Sequence, residues 1–136
     1  MRAEIISVGT ELLLGEITDT NASFLASQLP HLGIDLYWIS QVGDNLARLV
    51  EVLRRAWQRS EFILITGGLG PTEDDLTREA IAEMLGERLE IDSSLEYEIR
   101  GFFAQRNVEM PPSNVKQAAL IPSAEPLHNI RGTAPG

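Results

Sequence analysis

Ile63 to Ala80 read ILITGGLGPTEDDLTREA, which places a buried strand, a glycine turn and an acid-rich helix start in one unbroken run. Phe62 to Ile65 are apolar and β-competent, and four consecutive apolar positions mark a strand covered on both faces. Gly67 and Gly68 then permit positive φ and leave no side chain between the backbone and a bound group. A diphosphate or a planar heterocycle can therefore approach the turn from Thr66 to Gly70 closely. Pro71 fixes φ where a helix start needs no N–H, Thr72 is a candidate cap, and Asp75 follows three positions later as a short-armed capping-box acid. Glu73, Asp74 and Asp75 are adjacent. Either they favour the positive end of a helix, at about 0.3–1 kcal/mol each, or a divalent cation relieves their repulsion. The run reads as a ligand site followed by a helix that buries Leu76, Ala80, Ile81, Met84 and Leu85 and stops at Gly86.

The same alternation extends toward the amino terminus. Ala3 to Val8 reads as a strand stopped by Gly9, and Thr18 or Asp19 caps a helix whose apolar face is Ala22, Leu25, Ala26 and Leu29, ending over Pro30 to Gly33. Ile34 to Val42 is a second strand, and Asp44 or Asn45 opens a helix with Leu46, Leu49, Val50, Leu53 and Trp57 at helical spacing. This β-α-β-α-β-α order predicts an α/β domain with a mainly parallel sheet and helices on both faces. Ligand sites of such sheets lie at the carboxyl ends of the strands. Gly9-Thr10-Glu11, Val42-Gly43-Asp44 and Thr66-Gly67-Gly68 all fall just past strand ends, so the topology brings them to one edge.

Past Gly86 the pattern weakens. Leu89 to Ile91 reads as a short strand, and Ser93 or Ser94 as the cap of a helix through Leu95, Ile99, Phe102 and Phe103 that ends at Arg106-Asn107. The stretch from Met110 to Gly136 holds five of the seven prolines and reads as loop and short strand, with Ala118 to Ile121 as core. The closing Arg131 to Gly136 reads as an interrupted loop, so residues 1–136 are expected to form a single domain truncated at its carboxyl terminus.

At 136 residues the chain fits one hydrophobic core. A formal net charge of -9 opposes duplex nucleic acid and anionic membranes. The densest basic group, Arg48, Arg54, Arg55 and Arg59, lies on a predicted helix surface. The absence of cysteine excludes disulfides and thiolate chemistry, and the first residues lack the pattern of a targeting segment. A cytoplasmic protein is the default expectation. His31 and His128 lack ligand spacing, and Ser7, Ser23 and Ser113 lack a histidine base, so covalent serine catalysis has no support. Trp38 and Trp57 read as packing residues. GxxxxGK[ST] and GxGxxG are both absent.

Candidate site residues follow from these positions. Asp44 aims a carboxylate at the sheet edge. Glu11 either ligates a metal or ligand hydroxyl or caps its turn. Asp19, with Thr20 and Asn21, either caps a helix or presents polar groups to a nucleotide. In the segment Met110 to Gln117, Asn114 and Lys116 stand between prolines and an apolar stretch, and Lys116, the single lysine, is placed to neutralise a phosphate or to lie exposed.

VGTELLLGEITDTN at 8–21, Val42-Gly43-Asp44, TGGLGPTEDDLTREA at 66–80, MPPSNVKQA at 110–118 and NIRGTAPG at 129–136 together resemble the amino-terminal domain of the competence/damage-inducible CinA family. That domain shares the molybdopterin-binding fold of the MoaB and MogA proteins. The resemblance implies a three-layer α/β/α sandwich and a homo-oligomer. It also implies metal-dependent hydrolysis of ADP-ribose to AMP and ribose 5-phosphate, with Mg, Mn or Co as the divalent ion. On that basis Asp44, Asp74 and Asp75 are the expected metal-binding and catalytic residues. Gly9, Glu11, Asp19, Asn21, Gly67, Gly68, Gly70, Thr72, Asn114 and Lys116 are the expected substrate contacts. The alternative reading is a non-catalytic pterin or nucleotide binding module, or an oligomerisation domain of a larger protein. Family members often carry a separate carboxy-terminal domain that deamidates nicotinamide mononucleotide, and no such domain is present in this chain. Leu69 stands where molybdopterin-binding relatives commonly have threonine.

Overall fold

A computed structural model describes residues 1–136, which fall into two compact units, Met1–Gly68 and Leu69–Gly136. The first unit is built on a three-stranded parallel sheet of order β2-β1-β3, in which β1 (Arg2–Val8) lies between β2 (Asp35–Val42) and β3 (Phe62–Thr66). Ile5 of β1 is opposite Ile39 of β2 and Leu64 of β3. Side chains alternate between the faces of a strand, and both faces of β1 are covered. Ala3 and Ile5 pack with Ala22 and Leu29, placing α2 (Thr20–Gln28) and the 3-10 turn Leu29–Leu32 on one face. Glu4 points to the opposite face, where α3 (Leu46–Arg59) buries Leu49, Val50, Leu53 and Ala56. The layers within this unit are thus helix, sheet and helix. The β1–β2 register shifts between Ala3, opposite Leu36, and Glu4, opposite Trp38; Tyr37 is the extra residue of a bulge.

Local chemistry fixes the helix ends. Asp19, rather than Thr18, caps α2 by accepting the Ala22 N–H at 2.9 Å. Asn45, rather than Asp44, caps α3 through the Arg48 N–H at 3.1 Å. A one-turn helix, α1 (Thr10–Leu13), follows β1; its Glu-Leu-Leu-Leu run in this sequence carries no periodicity that would announce it. The reading of both tryptophans as packing residues is corrected. Trp57 has the inward spacing yet is 63% exposed in the last turn of α3. Trp38 is 49% exposed and carries the Arg59 guanidinium 4.1 Å from its ring centroid.

Beneath that guanidinium, Glu4 is completely buried. Its carboxylate accepts two hydrogen bonds from Arg59, at 2.9 and 2.6 Å, one from Ser40 at 3.0 Å and one from Ser60 at 3.2 Å. A buried charge is tolerated when its lone pairs are satisfied in this way.

In the second unit, α4 (Thr77–Leu85) ends at Gly86, whose φ of 71° is the left-handed stop the sequence anticipated. β4 (Glu90–Ile91) pairs antiparallel with β5 (Ala119–Leu120). α5 (Ser93–Ala104) is capped by Asp92, which accepts the Leu95 N–H at 2.8 Å; neither serine serves as the cap. Leu95 and Ile99 pack with Met110 and Ala118, joining α5 to the 3-10 helix Pro112–Ala118. The expectation that the α4 helix opens directly after Pro71 and Thr72 is also corrected. It starts at Thr77, because the preceding residues form a turn closed by Asp75. No helix is long and apolar enough to cross a membrane.

Burial alone would raise the Glu4 pKa, but the Arg59, Ser40 and Ser60 hydrogen bonds and the Arg59 charge outweigh it and hold the carboxyl below its ordinary value. A depressed carboxyl stabilises the fold fully above the unfolded-state value of about 4.3 and loses that contribution as pH falls through the folded value. Chemical denaturation from pH 7 down to pH 2 should therefore show stability falling across the acid range, with a shallower fall in Glu4→Gln. Equal acid slopes for the two proteins would exclude this role.

Candidate functional site

The carboxyl ends of the three parallel strands form one edge of the first unit. The Gly9 N–H donates to the Val42 carbonyl at 3.0 Å, joining the ends of β1 and β2. Beside this bond, Asp44 Oδ2 accepts the Thr10 N–H at 3.0 Å and the Thr10 hydroxyl at 2.9 Å, and the Asp44 N–H donates back to Thr10 Oγ1 at 3.1 Å. Asp44 thus latches the β1–α1 turn to the β2–α3 turn. Gly67 closes the edge at the end of β3. Its φ is 90°, and a Cβ there would lie 2.1 Å from the Val8 carbonyl oxygen, so only glycine fits.

The other sequence candidates of this unit lie around that edge. The Glu11 carboxylate folds back on Gly9, 2.6 Å from where a Cβ would stand. Asp19 Oδ2 accepts from Gln41 Nε2 at 3.3 Å while its other oxygen caps α2. Burial would raise the Asp19 pKa, but the Ser7 hydroxyl, the Ala22 N–H and Gln41 lower it below the ordinary value. Asn21 is exposed in the first turn of α2.

The glycine turn continues in the second unit from Leu69 to Asp75. Asp75 Oδ2 accepts the Thr72 N–H at 2.9 Å and the Thr72 hydroxyl at 2.6 Å, and the Gly70 N–H is a third donor to the carboxylate. A Cβ on Gly70 would stand 2.5 Å from Asp75 Oδ2, which explains why this position is glycine. Burial raises the Asp75 pKa, but the Thr72 hydroxyl, the Thr72 and Gly70 amides and the Lys116 charge prevail and lower it. Asp75 is therefore ionised at neutral pH. Asp75 takes the Thr72 N–H as the capping-box acid proposed from the sequence, but the Thr72 hydroxyl donates to Asp75 instead of accepting its N–H, and no helix follows until Thr77. Glu73 and Asp74 are exposed in the turn.

Lys116 reaches this turn. Its Nζ donates to the Thr72 carbonyl at 2.7 Å and to the Asp75 carbonyl, and lies 3.1 Å from Glu79 Oε1. Asn114, expected to face a ligand, is buried and donates to Gln117 Oε1 at 2.9 Å. Sequence reasoning missed Arg78, which is only 8% exposed and donates to the Leu69 carbonyl at 2.9 Å and the Pro135 carbonyl at 3.4 Å. A signal was available: a cation in the first turn of a helix opposes the macrodipole and requires another reason to be there.

The donor set gives no ready cage for a divalent ion. Asp44 Oδ2 and Asp75 Oδ2 each hold two Thr donors, and no group of three or more His, Asp or Glu side chains is gathered so as to hold a metal.

The family model described as a probable molybdopterin binding domain matches residues 4–135. A CinA-like protein of Thermomicrobium roseum is 60% identical over 136 residues, covering 100% of this chain and 34% of that protein. The crystal structure of the protein CinA from Thermoplasma acidophilum superposes with a TM-score of 0.92 at 34% identity, covering 100% of this chain and 80% of that one. The molybdopterin biosynthesis enzyme MoaB from Thermus thermophilus gives a TM-score of 0.59 at 25% identity, over 84% of this chain and 69% of that one. The chain spans about a third of the length of the curated relatives it matches. These likenesses show the three-layer α/β/α, mainly parallel fold that the sequence predicted.

If Asp44 acts as a latch, Asp44→Asn retains a carbonyl oxygen for the Thr10 donors and should unfold within about 0.5 kcal/mol of wild type, whereas Asp44→Ala loses about 1 kcal/mol or more. Urea midpoints of the two variants check this, and equal losses would remove the latch.

Proposed function

The chain belongs to the molybdopterin-binding domain family as an amino-terminal CinA-like domain, and from that membership we propose that it binds a phosphate-bearing nucleotide or pterin at the carboxyl edge of its parallel sheet. One observation carries this reading: the Gly9 N–H bonds the Val42 carbonyl and Asp44 holds Thr10, so the turns after β1 and β2 are fixed side by side at the carboxyl edge, where open α/β sheets take their ligands. Asp44 and Thr10 shape the adjoining turn, with Gly9 and Gly68 supplying further backbone. A relative named as a molybdopterin biosynthesis enzyme supports the ligand class. The -9 charge of the chain argues against nucleic acid as the partner.

Calorimetry against ADP-ribose, AMP and a soluble pterin phosphate should find one that binds in the micromolar range. Amide shifts on binding should concentrate at Gly9, Gly43, Gly67 and Gly68. Shifts confined to other residues, or no binding by any of the three, would end this proposal.

A second reading is hydrolysis of the ADP-ribose diphosphate, in which water adds to one phosphorus and the bridging P–O bond breaks to give AMP and ribose 5-phosphate. It is favoured by Asp75, a carboxylate held ionised beside a glycine turn whose exposed Glu73 and Asp74 add further acid oxygens. Any divalent ion would need water and substrate oxygens to complete its shell, since the protein alone offers no cage. Release of AMP from ADP-ribose should be measured with Mg²⁺, Mn²⁺ and Co²⁺ in turn. Turnover that falls about 100-fold or more in Asp75→Asn supports this reading, and wild-type turnover in that variant removes Asp75 from it.

A further inference from the structure

Lys116 is the single lysine of the chain, and its contacts are unusual for a residue expected to meet a phosphate. An ammonium has three N–H bonds, and here three protein oxygens surround Nζ: the Thr72 carbonyl, the Asp75 carbonyl and Glu79 Oε1. Two of the three belong to the backbone of the glycine turn. A third carbonyl of the same turn, Leu69, is taken by Arg78. Cations therefore hold the turn by its oxygens. The amides of Gly70 and Thr72 converge instead on the Asp75 carboxylate.

The orientation has a simple cause. A carbonyl drawn to a cation fixes its own peptide plane, and in a short turn that choice limits the directions open to neighbouring N–H groups. Glu79 supplies the countercharge, so the ammonium stays at the turn without needing an external anion. Thr72 contributes both its hydroxyl and its N–H to Asp75, and its carbonyl to Lys116. It is the residue through which one group acts on the other.

We propose that Lys116 is a positioning residue that sets the Asp75 carboxylate by gripping the Thr72 and Asp75 carbonyls, rather than a phosphate-neutralising residue that touches the ligand. This rests on the second reading above, in which Asp75 meets the diphosphate of ADP-ribose. The two roles separate kinetically. A positioning residue lowers kcat and leaves KM little changed, while a phosphate contact raises KM. They also separate without any ligand, because a grip on the turn protects its amides from exchange.

The experiment compares wild type, Lys116→Met, Lys116→Arg and Glu79→Gln by residue-resolved hydrogen exchange and by ADP-ribose turnover. Lys116→Met should exchange the Gly70 and Thr72 amides about tenfold faster, with the amides of α5 at their wild-type rates. Lys116→Arg, which can still donate to both carbonyls, should restore most of the protection, and Glu79→Gln should retain it. In turnover, Lys116→Met should lose kcat with KM within about twofold of wild type. Unchanged exchange at Gly70 and Thr72 overturns the proposal, as does a selective rise in KM. Faster exchange throughout residues 69–136 also overturns it, since that outcome describes loss of the unit rather than of the turn. Absence of turnover in the wild-type protein removes the hydrolysis reading alone and leaves the exchange pattern to decide the role of Lys116.

Discussion

Burial of β1 is the constraint on which the first unit depends. The strand has no free edge, because β2 and β3 pair on either side, and no free face, because α2 covers Ala3 and Ile5 while α3 covers the face of Glu4. A strand enclosed in this way has its register fixed by every neighbour at once, since a shift of one residue would exchange its two faces. It would also move Glu4 from beneath Arg59 to the apolar side. The cost of burying a carboxylate thereby becomes a device that defines a single alignment, in keeping with the specificity attributed to some buried polar groups.

The carboxyl edge inherits that alignment. Gly67 sits against the Val8 carbonyl only because β1 and β3 are in register from Ala3 opposite Phe62 to Ser7 opposite Thr66. The Asp44 latch likewise depends on Val8 lying opposite Val42. Turns that follow strands have little cohesion of their own. Here they are positioned by hydrogen bonds from the strand ends, which preorganises the edge at which a ligand is proposed to bind. In the second unit the corresponding work falls to charges, with Arg78 and Lys116 on the carbonyl side of a turn and Asp75 on its amide side.

Much of this was legible in the sequence where a residue acts through its own local chemistry. Asp19 as a cap, Gly86 as a left-handed stop and the strand–helix alternation through Thr66 follow from propensity and period. The glycines at 67 and 70 announced a close approach, although what approaches Gly67 is the protein's own β1 and what approaches Gly70 is Asp75. Reading failed where the partner is remote. Nothing near Lys116 in sequence indicates that its ammonium bonds residues more than forty positions earlier, and the Glu4–Arg59 pair spans 55 positions. Thr72 and Asp75 carried the spacing of a capping box and form its acid half, but the Thr72 hydroxyl turns to the same carboxylate, so the pair closes a turn instead of opening a helix. The helix expected after Thr72 therefore begins at Thr77.

The bulge at Tyr37 has a consequence for how copies of the protein behave in concentrated solution. β2 is the outermost strand of its sheet, with Tyr37, Trp38 and Ile39 exposed in succession, a composition that invites another extended chain to continue the ladder. An inserted residue breaks the even spacing of outward-facing N–H and C=O groups, so an incoming strand that matches one side of Tyr37 falls out of step on the other. The irregularity that lets β2 follow β1 around Glu4 therefore also spoils its outer rim as a template for stacking.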